Sequence, residues 1–220
     1  MTGPEFYLPH CPLVRSKATT TKIRPVFDAS AQTEGGLSLN DFLETGENLN
    51  PELLAVLLRF RWHRVAWVGD IEKAFLQIEI HSKDRDALRF ICIDDLSNSS
   101  LEKEPSIFRW NRVTFDLSSS PFILRIVIRN HLKTSKELDP PLARYIEECL
   151  YMDDLLAGSE SAEEAIKTIN CVQKVFKRAC MRLTKWVTND LSLADSLKET
   201  KSTSTGNDLT HPIGYEETEL

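Results

Sequence analysis

The chain has 220 residues, room for one sizeable core or two small lobes. Its 41% hydrophobic and 27% charged content is that of an ordinary globular protein, and no apolar run approaches the ~20 residues that a membrane span requires. A net charge of −6 argues against a uniformly basic, phosphate-binding surface, yet residues 190–220 alone hold seven acids against two lysines, so the remainder is nearly neutral. Basic clusters persist at Arg15, Lys17, Lys22 and Arg24, and again at Arg59, Arg61 and Arg64. Charge therefore neither demands nor forbids a nucleic-acid partner. The opening residues, Met1 to Glu5, lack the basic-then-apolar pattern of a secretory signal. Five cysteines without CxxC spacing read as reduced, mostly buried thiols of an intracellular protein, with no zinc site.

Phe6 to Val14 is apolar and carries Pro9 and Pro12, so it is expected to be extended. After a polar turn from Ser16 to Thr21, Ile23 to Ala29 reads as a strand that Pro25 confines to an edge or a bulge. Asp28 ends it, as a turn former or as a partner that orients Arg24. Ala31 to Gly46 is loop-rich. Asn50-Pro51 offers an N-cap with proline behind it, and Leu53, Leu54, Leu57 and Phe60 repeat at helical spacing. An amphipathic helix over Pro51 to His63 is expected, packed beneath the strand that follows. That strand is the β-prone run from Val65 to Asp70, with a more helical stretch after it.

Ala87 to Ile93 and Ser106 to Phe115 read as two strands of a hairpin, joined by an acidic, polar turn from Asp94 to Glu104. A helix over Ser119 to Lys133 is expected to face Phe122, Ile123, Ile126 and Val127 inward. Short apolar runs, Ile146 to Leu150 and Leu155 to Ala157, then flank Tyr151-Met152-Asp153-Asp154. Apolar–Asp-Asp–apolar reads as a β-hairpin whose turn carries the acids, and a merely solvated turn is the plain alternative. Ser161-Ala162-Glu163-Glu164 is a capping-box pattern, with Ile166, Ile169, Val172, Val175, Phe176 and Cys180 at helical spacing after it. Arg182 to Val187 reads as a strand. From Leu191 onward Ser, Thr, Asp and Lys dominate, the composition of a mobile linker. The chain has no internal repeat, no Gly-rich phosphate loop and no Ser/His/Asp arrangement.

The chemistry concentrates in three acids. Asp70 ends a β-prone run, and Asp153 and Asp154 sit in the hairpin turn. Three carboxylates crowded together raise their own pKa values unless a cation neutralises them. Hard oxygen ligands left partly open point to Mg²⁺ or Mn²⁺ rather than zinc. Asp70 followed by Phe75-Leu76-Gln77-Ile78, and then Tyr151-Met152-Asp153-Asp154, resembles the palm of a reverse transcriptase. Further blocks narrow the resemblance to LTR retrotransposons of the Bel–Pao type. They are Tyr7-Leu8-Pro9-His10, the run from Thr21 to Ser30, Ser38-Leu39-Asn40-Asp41 and Leu57-Leu58-Arg59-Phe60-Arg61. Val113-Thr114-Phe115, Ser119-Ser120-Pro121-Phe122 and Leu183-Thr184-Lys185-Trp186 follow.

The resemblance implies an α+β fold: a polymerase right-hand palm, antiparallel sheet backed by helices, with a partial fingers subdomain and the thumb missing. Residues 47–77 and 119–190 would be palm, 1–46 and 78–118 fingers, and 191–220 an acidic, Ser/Thr-rich linker with the truncated start of the next segment. The implied activity is that of an RNA-directed DNA polymerase, template-directed nucleotidyl transfer with two Mg²⁺ (or Mn²⁺) ions. Asp70, Asp153, Asp154 and the main-chain carbonyl of Ile71 would be their ligands. Arg24 would hold the triphosphate of the incoming nucleotide, since a guanidinium matches phosphate oxygens. Phe75 would pack under the sugar and leave no room for a 2′-hydroxyl, with Phe115 also in the nucleotide site. Lys185 lies near the lysine proposed as general acid for the pyrophosphate leaving group. The implied partners are an RNA or DNA template-primer, deoxynucleoside triphosphates and the remainder of a Gag-Pol-type polyprotein, with no membrane. The implied location is the cytoplasm, or a virus-like particle.

One position departs from the family pattern. Asp116 stands where the pattern has glycine, and its bulk and negative charge beside a triphosphate site are expected to weaken nucleotide binding. This leaves an alternative open: a catalytically dead relic that keeps the fold with at most weak nucleic-acid binding. A template-independent metal phosphotransferase using the same three acids is a third reading.

Overall fold

The computed structural model describes residues 5–14, 23–32, 35–92, 105–202 and 215–218. In chain order the elements are β1 (His10–Val14), β2 (Ile23–Phe27), α1 (Leu39–Phe42), α2 (Leu53–Trp62) and β3 (Val65–Ile71). They continue with β4 (Arg89–Cys92), β5 (Ser106–Trp110), α3 (Ser120–Thr134), α4 (Pro140–Cys149), β6 (Leu150–Tyr151) and β7 (Asp154–Ser159). The last four are α5 (Ala162–Arg178), β8 (Leu183–Thr188), α6 (Leu191–Ser202) and β9 (Tyr215–Thr218). The chain forms two units: Met1–Gly46 with Phe75–Ser120 and Pro212–Leu220, and Glu47–Ala74 with Pro121–His211.

The first unit holds an antiparallel pair, β1 with β2, and a three-stranded antiparallel sheet in the order β4-β5-β9. Pro12 lies opposite Pro25 in the pair, so two residues without N–H groups face each other in a sheet that, among the described residues, has only these two strands. The β4–β5 hairpin is present, and the expected acidic turn, Asp94 to Glu104, lies outside the described residues. Its arms are shorter than the sequence suggested: Ala87 and Leu88 belong to a 3₁₀ turn (Arg85–Leu88), and β5 ends at Trp110 rather than Phe115. The core joins Phe27, Phe90 and Trp110, with Phe27 edge-on to both other rings at 5.0 and 5.1 Å, to Leu8, Leu39, Leu88 and Leu117.

The second unit is built on a four-stranded antiparallel sheet, β6-β7-β3-β8, backed by helices. Strand β3 alternates strictly: Val65, Trp67, Gly69 and Ile71 are buried, while Ala66, Val68 and Asp70 lie half-buried on the other face. Helix α5 contributes Ala165, Ile169, Val172, Val175 and Phe176 to the core. Its cap is Ser161, whose Oγ accepts from the Glu164 N–H, while the Glu164 carboxylate returns to the Glu160 N–H instead of closing a full box on Ser161.

Several sequence expectations change here. Helix α2 starts at Leu53 with Glu52 at its cap, not at Asn50-Pro51. Only Val56 of α2 is buried; Leu53, Leu54, Leu57, Leu58 and Trp62 are exposed. The helix packs against β7 and α4 rather than beneath β3. In α3 the inward stripe is Leu124, Ile128 and Leu132, and Ile126 points to solvent. Ile146 to Cys149 end helix α4, capped by Asp139 with proline behind it, so the arm before the acids is only two residues long. Helix α6 occupies the start of the expected linker, because Asp190 Oδ1 accepts from the Leu193 N–H and Leu193 and Leu197 are buried. Among the thiols only Cys149 is buried; Cys11 and Cys180 are exposed. No described helix is long and apolar enough to cross a membrane.

Candidate active site

The sheet of the second unit brings the acids together. Asp70, next to last in β3, pairs across the antiparallel ladder with Asp154, the first residue of β7. Residues directly opposite in such a ladder point to the same face with their Cα atoms roughly 4.5–5.5 Å apart. The Ile71 N–H donates to the Asp153 carbonyl at 2.8 Å, which fixes the turn against the end of β3. That turn is a two-residue hairpin loop, Met152-Asp153, with Met152 in the left-handed region at φ +55°. The Asn50 side-chain amide donates to Met152 Sδ at 3.5 Å, so Asn50 braces the turn instead of capping α2.

Electrostatics follow from the crowding. Asp154 is exposed, yet its carboxyl is pushed above the ordinary carboxylate range, first by partial desolvation, then by the negative charges of Asp153 and Asp70, with Lys185 opposing. Lys185 reaches Asp70 because of a bulge. Between the Val68–Val187 and Asp70–Thr184 pairs, Lys185 and Trp186 of β8 together oppose Gly69 of β3. Lys185 takes φ +52°, and its Nζ donates to both Asp70 carboxylate oxygens at 3.0 Å. The Trp186 ring lies where a Cβ on residue 69 would be, 2.6 Å from its Cζ3. Glycine is thus required at 69 by close approach, not by turn geometry.

Sequence reasoning missed Arg125. Its side chain is buried on α3 and donates from Nε to the Leu49 carbonyl, from Nη1 to the Leu150 carbonyl and from Nη2 to the Glu147 carbonyl. One guanidinium therefore ties the end of α4 and the strand leading into Met152-Asp153 to the segment before α2. Burial lowers its pKa, the charge of nearby Glu147 opposing, yet a guanidinium keeps its proton in proteins. The available signal was an arginine next to the apolar stripe Leu124–Ile128–Leu132.

The remaining candidates lie in the first unit. Arg24 is exposed on β2, opposite Leu13. Asp28 does not orient it; one of its carboxylate oxygens accepts from the Ser30 N–H, the turn former's role. Phe75 is buried in a 3₁₀ turn and meets the half-exposed Phe115 edge to face, ring centroids 5.4 Å apart. The four residues Asp70, Asp153, Asp154 and Lys185 thus gather in one unit, and Phe75 with Phe115 in the other.

Residues 18–186 match the family model described as reverse transcriptase (RNA-dependent DNA polymerase). The chain belongs to the reverse transcriptase family. A foamy viral protease-reverse transcriptase, solved in complex with an RNA/DNA hybrid, shares the fold of this reverse transcriptase chain. The TM-score is 0.58 at 16% sequence identity, over 85% of this chain and 21% of that one. The chain thus spans about a fifth of the length of that viral protein. No curated protein matches it.

The donor set suits a hard divalent cation. Two carboxylates face each other across a ladder and a third lies beside them; desolvation first, and then the charges of Asp153 and Asp70, raise the proton affinity of Asp154, and a bound cation would offset both. The side chains do not form a finished cage: among the described residues no group of three His, Cys, Asp or Glu side chains stands arranged around one point. Asp70 has both oxygens on the Lys185 ammonium instead.

Proposed function

We propose that the chain is the palm-and-fingers part of an RNA-directed DNA polymerase from a Bel–Pao type retrotransposon polyprotein, transferring nucleotides to a primer with two divalent ions. Palm would be residues 47–77 and 119–190, and fingers 1–46 and 78–118. The observation that carries the reading is Asp70 opposite Asp154, with Asp153 tied to Ile71, inside a chain of the reverse transcriptase family. The Tyr7-Leu8-Pro9-His10 and Leu183-Thr184-Lys185-Trp186 blocks support the Bel–Pao assignment.

Asp70, Asp153 and Asp154, with the carbonyl of Ile71, would hold Mg²⁺ or Mn²⁺. Bound there, the metal supplies a lowered pKa for the primer 3′-hydroxyl and charge stabilisation for the triphosphate. Arg24 binds triphosphate oxygens through its guanidinium, and Phe75 with Phe115 forms the apolar surface that excludes a 2′-hydroxyl. The primer 3′-hydroxyl gives its proton to solvent, and the bond from its oxygen to the α-phosphorus forms as the α–β phosphoanhydride bond breaks. Lys185 Nζ, released from Asp70, gives its proton to the departing pyrophosphate oxygen. The template-primer selects the nucleotide by base pairing.

The test is extension of a primed RNA template by the purified chain with Mg²⁺ and deoxynucleoside triphosphates. Extension is expected, and Asp70→Asn or Asp153→Asn each lowers it by about 100-fold or more, several kcal/mol of transition-state stabilisation. No extension by a chain with native circular dichroism would turn the assignment to the inert relic. Template-independent hydrolysis of a phosphomonoester would turn it to the third reading.

A further inference from the structure

Asp116 is the position where charge was expected to harm nucleotide binding, and its surroundings point the other way. The residue sits at φ +73°, a conformation that glycine, asparagine and aspartate adopt most readily. Its carboxylate Oδ2 accepts from the Ala29 N–H at 2.9 Å. Ala29 is 1% exposed, so water cannot serve that donor, and a glycine at 116 would satisfy the backbone but leave the N–H without an acceptor.

The bond is part of a wider clasp. The Asp116 carbonyl accepts from Asn40 Nδ2 at 2.9 Å, and the same Nδ2 donates to Ser30 Oγ. Asn40 Oδ1 accepts from the Ser118 N–H at 2.8 Å, and the Asn40 N–H donates to the Ala29 carbonyl. On the far side of the turn Ser120 Oγ donates to the Thr114 carbonyl at 2.7 Å. Two short stretches are fastened in this way. One is the turn at residues 28–30, where the strand bearing Arg24 ends. The other is the turn that begins with Phe115, whose ring lies against Phe75.

We propose that Asp116 is a positioning residue for the incoming nucleotide: its carboxylate clamps the end of the Arg24 strand to the Phe115 turn. The role rests on the polymerase reading above. It acts through Arg24 and Phe115 and requires the carboxylate as an acceptor, not as a charge.

Two variants separate acceptor from charge. Asparagine keeps an acceptor oxygen and tolerates positive φ, whereas glycine keeps only the backbone freedom. Steady-state single-nucleotide extension is read as KM and kcat, and hydrogen exchange at the Ala29 amide reports the clasp without activity. Asp116→Asn is expected to hold the nucleotide KM within about twofold and to keep Ala29 protected. Asp116→Gly is expected to raise KM by about three- to tenfold, the worth of one hydrogen bond, with kcat little changed and Ala29 exchanging faster. If both variants lower KM, the charge repels the triphosphate and the proposal is overturned; an unchanged KM in Asp116→Gly overturns it as well. If no variant extends a primer while Ala29 is protected in the wild type and in Asp116→Asn, the polymerase reading fails, and the nucleotide role with it.

Discussion

At the residue scale the site is governed by where charge can be relieved. Asp154 has its pKa raised in the folded state, so its protonated form contributes stability below the ordinary carboxylate range, and that contribution is lost as pH rises through the folded value. At neutral pH the ionised side chain therefore costs stability, a cost that a cation at the proposed site would offset. Asp154→Asn is expected to melt higher than wild type at pH 7 in a chelator, with the gap closing as pH falls, and to abolish extension; a lower Tm at pH 7 would contradict this. Arg125 shows the opposite economy, a charge whose donors are shared among three main-chain carbonyls. Arg125→Met leaves those carbonyls without their donor and is expected to lose about 3 kcal/mol or more in denaturant unfolding. Arg125→Lys should recover little of it, because an ammonium lacks the planar fork that spans three acceptors.

At the element scale the bulge in β8 does what no single residue could. By setting two residues opposite Gly69 it turns Lys185 toward Asp70 and lays Trp186 over β3. Gly69→Ala forces the indole away and is expected to cost about 1–3 kcal/mol, with quenching or shift of tryptophan emission as the local readout. Helix α2 supplies the contrasting case. Its leucines have helical spacing, yet Leu54 and Leu58 are 67% and 61% exposed. Leu54→Lys with Leu58→Lys is accordingly expected to shift stability by no more than about 0.5 kcal/mol per site, far below the 2–5 kcal/mol of a buried leucine lost.

At the scale of the whole molecule, metal binding at the proposed site would be linked to stability. An ion that binds only the folded chain at the three acids raises the unfolding free energy by about 2.7 kcal/mol at 100 times its Kd. Mg²⁺ or Mn²⁺ is therefore expected to raise Tm, EDTA to reverse it, and Asp70→Asn to abolish the effect. A Tm indifferent to either ion would count against the acids as ligands. The net charge of −6 sits largely in residues 190–220, so weak template binding in salt would reflect the total charge rather than the site.

The sequence by itself determined the alternation of β3, the apolar face of α5, and the two stretches that carry Asp70 and Asp153-Asp154, because a period of two or of 3.6 is a local property. It also carried the family, through blocks whose order along the chain needs no folding to be read. It misled where burial depends on what lies opposite. The leucines of α2 look like a core face and are not one, and the inward stripe of α3 is shifted to Leu124, Ile128 and Leu132. Arg125 drew no notice in the chain, Asn50 read as a helix cap and Asp116 as a liability, because the partners that define them, Leu49, Met152 and Ala29, lie 76, 102 and 87 residues away. Only the tertiary structure decided that Asp70 faces Asp154 across a ladder, that a bulge hands Asp70 to Lys185, and that the Asp116 carboxylate accepts from the Ala29 N–H. Register and bulges are properties of paired strands, and one strand read alone cannot contain them.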